Sequence, residues 1–144
     1  MEKILIAVDE SPQSIKAAKT GFQLAKKIKC KIGLVTVINN KAVLGNIDAG
    51  VLPAEEVNQL KTDAERVQKQ LISDFGNGLT IEEFYPYGDP QKEILDLAKS
   101  WNANLIIMSS HGRSGFEHFF KGSIAEVIIH HTQIPVMIVP LVSS

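Results

Sequence analysis

The chain is predicted to form a doubly wound α/β sheet of five parallel strands. Three features lead there. Short apolar runs of strand length alternate with longer segments of helical period from end to end. The runs at residues 4–8 and 105–108 are continuously apolar, as in strands buried on both faces. Two helical segments open on a polar residue followed by proline, Ser11-Pro12 and Asp89-Pro90, the order of an N-cap and a first helical residue. Strands separated by helices pair in parallel through right-handed crossovers, which places helices on both faces.

Strand one occupies residues 4–8. After Ser11-Pro12, Ile15, Ala18, Phe22, Ala25 and Ile28 recur at helical spacing and form one apolar face. Residues 31–38 read as strand two, and 39–52, with Asn39-Asn40, Gly45 and Gly50, as a loop. Pro53 starts a second helix running to about Phe75, with Val57, Leu60, Ala64, Val67 and Leu71 inward. Gly76-Asn77-Gly78 stops it. Residues 79–87 are strand three. The helix after Asp89-Pro90 has a face of Ile94, Leu95, Leu97, Ala98 and Trp101. Residues 103–108 are strand four. A glycine-containing loop follows, then a short helix from Ile124 to His131, then strand five at 134–139, closed by Pro140. With no repeat, low-complexity tract or linker, residues 1–144 are expected to form one domain.

Composition narrows the function. Apolar residues make up 44% of the chain and charged residues 22%, the balance of an ordinary globular protein. The net charge of −1 gives no pull toward nucleic acid or an anionic membrane. The basic cluster Lys26, Lys27, Lys29 and Lys31 falls at a helix C-terminus, where cations complement the dipole. Cys30 is the single cysteine, which excludes an intramolecular disulfide and a cysteine metal site; a buried thiol is expected. The first nine residues turn acidic too soon for a signal peptide, and no apolar run approaches membrane-spanning length. A cytoplasmic protein is expected.

The strongest functional signal is Ser109-Ser110-His111-Gly112-Arg113-Ser114-Gly115, followed by Gly122-Ser123. It joins the end of strand four to the start of the last helix. A small-residue loop running into a helix N-terminus points backbone N–H groups at an anion, and the helix dipole favours negative charge there. Ser123 and Glu126 also fit the S-x-x-E capping box, so Ser123 serves equally as cap or as ligand contact. Asp9, at the end of strand one, is placed to accept from ribose or an adenine amine, or to make a local helix-entry contact. Arg113 is a charge-assisted donor toward phosphate, or an exposed loop side chain.

Other motifs are excluded by spacing. Gly112 to Phe116 is not G-x-S-x-G, Lys121-Gly122-Ser123 is not a Walker A, and no G-x-G-x-x-G follows strand one. His111, His118, His130 and His131 form no H-x-x-x-H pair. No nucleophile–base pair is visible.

Taken together, residues 4–11, Gly88-Asp89-Pro90 with Ile94 and Ala98, and the stretch from Leu105 to Pro140 resemble the universal stress protein family over essentially the whole chain. The resemblance implies a Rossmann-like sheet of strand order 3-2-1-4-5 with four helices, and a homodimer through the last strand, bounded by Ile134 and Val139. For one branch of the family it implies an ATP site with the motif G-x2-G-x9-G-S/T. Laid on this chain, the second glycine is Gly112, nine residues run from Arg113 to Lys121, and Gly122-Ser123 completes the motif. The first glycine position holds Ser109, a departure. The resemblance places Asp9 at the adenosine, Val37 beside the adenine and Met108 in the pocket lining, with Gly112, Arg113, Gly122, Ser123 and Ile124 around the phosphates; Ala7 and Ser109 are further candidate cofactor-binding residues, the Ser109 hydroxyl toward ribose or phosphate. If position 109 requires positive φ, serine there costs roughly 1–2 kcal/mol, about a tenfold loss of affinity.

The expected function is therefore an ATP-binding stress or regulatory protein, homodimeric, with loop conformation set by nucleotide occupancy and read by a protein partner. Mg2+ would accompany the phosphates. No hydrolytic base is apparent, so hydrolysis is expected to be slow at most. The alternative is a dimeric interaction protein of the same family that binds no nucleotide. An adenylyl-transferring enzyme is disfavoured, because neither an H-x-G-H element nor a Ser-Gly-Gly-rich loop follows strand one.

Overall fold

The apolar runs pair side by side as β1 (Lys3–Ala7), β2 (Lys31–Val35), β3 (Ile81–Phe84), β4 (Leu105–Ser109) and β5 (Val136–Val139). The structure, a computed structural model, describes residues 2–39, 53–110 and 124–140. Among these residues the helices are α1 (Pro12–Ile28), α2 (Pro53–Phe75), α3 (Pro90–Ser100) and α4 (Ile124–His131). All strand pairings are parallel and the order is β3-β2-β1-β4-β5.

Strand alternation divides the core in two. Ile4, Ile6, Ile32, Leu34, Leu105 and Ile107 face α1 and α2. Leu5, Val35, Ile106 and Met108 face Ile94 and Ala98 of α3 and Ala125 and Ile128 of α4. Both faces are covered, as the continuously apolar strands require.

Helix entry follows the predicted chemistry. The Ser14 N–H donates to Ser11 Oγ at 3.2 Å, and the Lys92 N–H to Asp89 Oδ2 at 3.2 Å, each followed by proline at the first helical position. α1 ends on Lys29 in the left-handed region, with Lys26 and Lys27 in its last turn, and Cys30 is buried behind it.

The face of α1 differs from expectation. Ser14, Ala17, Ala18, Gly21, Phe22 and Ala25 are buried, while Ile15 and Ile28 remain 40% and 41% exposed. The helix is rotated so that its small residues lie on the sheet. A Cβ on Gly21 would stand 2.5 Å from Ile6 Cδ1 and 3.2 Å from Ile107 Cδ1. Close approach to the large strand side chains outweighs burial of two isoleucines.

Strand limits also differ, and prolines explain two of them. Strand three, expected over 79–87, is a ladder only from Ile81 to Phe84, because Pro86 has no N–H to continue it. Its carbonyl still accepts from the Ile38 N–H at 2.7 Å, and Ile38 bridges Tyr87. Strand five begins at Val136, after Pro135, rather than at 134. Strand two leaves its ladder at Val35 instead of Ile38, where β1 ends and turns away. Strand four starts at Leu105 rather than 103 and extends one residue further than expected, to Ser109.

Candidate functional site

β1 lies between β2 and β4, so strand order reverses there and the loops beyond β1 and β4 part. In an open parallel sheet this switch point leaves a crevice at the carboxyl ends of the strands. A cleft open to solvent occupies it. Its lining includes Ala7 and Asp9 from the end of β1, Val37 beyond β2, Met108 and Ser109 from β4, and Ile124 and Ala125 at the start of α4. Six residues singled out in the sequence, Ala7, Asp9, Val37, Met108, Ser109 and Ile124, thus share one cavity. Gly112, Arg113, Gly122 and Ser123 lie outside the described residues.

The walls are apolar and the polar groups are few, the usual composition of a small-molecule site. Ala7 and Val37 pack against the same cluster as Met108 and Ile124. Pro90 and Ala125, in the first turns of α3 and α4, also reach the cleft. First-turn N–H groups have no acceptor within their own helix, and the dipole makes that end positive.

Asp9 is oriented locally. Its Oδ1 accepts the Ser11 N–H at 2.7 Å, while its own N–H donates to the buried Ser14 Oγ at 2.6 Å. The helix-entry contact considered from the sequence is therefore made by one carboxylate oxygen. These two bonds hold the carboxylate at the cleft mouth, and a carboxylate carries a second accepting oxygen.

Val37 contributes its main chain. The Val8 N–H bonds Val35 O, the last rung between β1 and β2. The N–H groups of Thr36 and Ile38 donate to the opposite side, to Phe84 O and Pro86 O. Alternation turns the N–H and C=O of Val37 back toward β1, at the height where β1 has already left. A donor and an acceptor are presented side by side at the cleft edge.

Ser109 is a regular strand residue in register with Val139, and 9% exposed. Among the described residues, positive φ outside glycine occurs at Lys29 and Asn102 alone. Position 109 does not need glycine for its backbone, so the strain considered above does not arise.

A second cleft opens on the α2 side of the same strand ends, lined by Glu10, Thr36, Leu60, Asp63 and again Asp9. Its three carboxylates oppose a polyphosphate. Among the described residues, no group of three or more His, Cys, Asp or Glu is arranged to hold a metal ion. No helix among them is long and apolar enough to cross a membrane.

One polar residue escaped the sequence reading. Gln68 sits on the inward face of α2 with no exposed surface, between Ala64 and Leu71, which are buried as expected. Its Nε2 donates to Thr36 Oγ1 at 3.0 Å and to the carbonyls of Phe84 and Leu34 at 3.3 and 3.4 Å. Positions 64, 68 and 71 share a helix face, but that spacing does not mark a glutamine as buried until its acceptors on β2 and β3 are known.

Comparison with known proteins agrees with this architecture. Residues 1–140 match the model of the universal stress protein family. The universal stress protein MJ0531 of Methanocaldococcus jannaschii is 29% identical over 140 residues, covering 96% of this chain and 81% of that protein. The solved structure of MJ0577 from the same organism superposes with a TM-score of 0.86 at 24% identity, covering 99% and 98% of the two chains. A universal stress protein from Archaeoglobus fulgidus, solved in complex with dAMP, superposes at 0.68 with 18% identity, covering 96% and 97%.

Proposed function

The chain belongs to the universal stress protein family, and from that premise we propose that it binds an adenine nucleotide, ATP in the first place, as a cytoplasmic, homodimeric regulatory switch. The observation that carries the reading is the convergence in one cleft of an oriented carboxylate, an apolar slot and the first turn of α4. The dAMP complex of the Archaeoglobus relative supports the ligand class. Adenine lies between Val37 and Met108 over Ala7, and its N1/N6 edge meets the main-chain donor and acceptor of Val37. The ribose hydroxyls donate to Asp9. The phosphates extend toward the N-terminus of α4, where Ser109 and Ile124 meet them with Gly112, Arg113, Gly122 and Ser123 of the family motif.

Mg2+ would accompany the phosphate oxygens of the bound nucleotide. Among the described residues no general base stands at the cleft's phosphate end, and the reading expects slow hydrolysis at most. Switching requires that nucleotide bind one loop conformation more tightly than another, and a protein partner reads the shifted population. The dimer forms through β5, whose two copies pair about a two-fold axis.

Calorimetric titration with ATP and Mg2+ at physiological salt tests this. Binding with a Kd on the order of 10 µM, lost in Gly112→Val, is the expected result. No heat and no thermal shift up to millimolar ATP would leave the dimeric interaction protein as the reading.

A further inference from the structure

Gln68 poses a problem that packing alone does not answer. It is a fully buried amide on a helix face otherwise occupied by Ala64 and Leu71. Its Nε2 has three acceptors within reach, yet its Oε1 finds no hydrogen-bond partner. A buried carbonyl without a partner is destabilising, and an apolar residue of similar length would avoid that cost. The carbonyls that Gln68 touches do not depend on it for the strand pairing, since Phe84 O already accepts the Thr36 N–H at 3.1 Å. The amide is therefore a net burden on the core unless its contacts do something else.

Those contacts fall at the place where β2 separates from β1. The last rung between them is Val8 to Val35. One residue later Thr36 points to the α2 face and is held there by Gln68 through its hydroxyl. The residue after that is Val37, which turns to the cleft. Beyond Val35 the strand has lost its β1 neighbour and is laddered only to β3, through the Thr36 and Ile38 N–H groups, and Gln68 adds a side-chain tie from below to Thr36 Oγ1 and Phe84 O.

We infer that Gln68 is a positioning residue for the nucleotide cleft: by tying the Thr36 hydroxyl to α2, where the main chain is held on the β3 side alone, it sets the direction in which the main-chain donor and acceptor of Val37 face the base. It touches no ligand itself. The inference rests on the nucleotide reading above and adds the element that makes the base edge selective. Adenine offers an acceptor at N1 and a donor at N6, whereas hypoxanthine reverses both. A fixed Val37 edge therefore favours ATP over ITP, and a loosened edge does not.

The test compares ATP and ITP binding in the full chain, with Gln68→Met and, independently, Thr36→Val. Each variant removes the bond between Gln68 Nε2 and Thr36 Oγ1 by a different partner, so a folding failure in one leaves the other decisive. The expected result is a drop of about tenfold in the ATP-to-ITP affinity ratio, the loss of one well-placed hydrogen bond. Gln68→Met should unfold at the same denaturant concentration as the parent, or a higher one. A merely structural role would lower both affinities together, or lower stability with the ratio unchanged, and either result overturns the inference. If the unmodified protein binds neither nucleotide, the nucleotide reading itself falls and the inference with it.

Discussion

The two edges of the sheet are built from opposite chemistry. β3 is four residues long and presents Glu82 and Glu83 to solvent. Glu83 accepts from the Tyr85 hydroxyl at 2.7 Å and faces Lys69 Nζ at 3.5 Å, while Glu82 accepts from the Trp101 indole N–H at 3.2 Å. β5 is equally short but reads Val-Met-Ile-Val, with its first three residues half-buried and Val139 buried. The Ile106 N–H donates to Pro135 O and the Ser110 N–H to Val139 O, so alternation turns the main-chain groups of Val136 and Ile138 off the sheet. Charge on an edge opposes strand addition, and an uncharged apolar edge with outward donors and acceptors accepts it. Charge disfavours strand addition at β3, and the proposed dimer uses the uncharged edge at β5.

The largest expected effect comes from blocking the β5 edge. Ile138→Pro removes an outward N–H on which pairing of two β5 strands depends, at a position whose N–H alternation turns off the sheet. Sedimentation velocity should show a monomer at concentrations where the parent is a dimer. A dimer of unchanged affinity would place the interface elsewhere. A smaller effect is expected from opening β3. Glu82→Val combined with Glu83→Ile removes both edge charges, and light scattering should report association beyond the parent's. If the double variant scatters like the parent, the shortness of β3 rather than its charge protects it.

The smallest effect is a pH dependence at β3. Burial, and then the hydrogen bond to Glu83, push the Tyr85 phenol well above its ordinary pKa. A group raised in the folded state keeps its full contribution below its unfolded pKa, about 10 for tyrosine, and loses it as pH climbs toward the folded value. Urea midpoints should fall above about pH 10 and fall less in Tyr85→Phe. Solvent screening keeps the difference under about 1 kcal/mol. Equal losses in the two proteins would mean that the phenol is not coupled to folding.

Much of the site was legible because its parts are local. Asp9 ends an apolar run, and a serine and a proline follow at helix-entry spacing. Met108 ends another run, and Ile124 begins a helical one. A parallel sheet puts all such strand ends on one side, so their meeting at a switch point followed from the order of elements. Gln68 was not legible. A glutamine between inward positions reads as a surface residue until the acceptors above it are known, and those belong to β2 and β3, 32 to 34 residues earlier and 16 later. The effect of Ser109 was equally hidden, because φ at a strand end depends on whether the neighbouring strand still pairs. Here it pairs with Val139.

By itself the sequence determined the alternation of strands and helices, the caps that start α1 and α3, the two-faced burial of the strands and the end of the sheet where the candidate residues meet. These depend on side-chain period and on backbone hydrogen bonds within a few residues. Only the tertiary structure decided how far each ladder runs, which face α1 turns to the sheet, where Gln68 finds its acceptors and which main-chain groups of β5 are left outward. A ladder stops when its neighbour departs or supplies a proline. A helix rotates until its smallest residues meet the largest side chains beneath it, and both outcomes depend on partners remote in the chain.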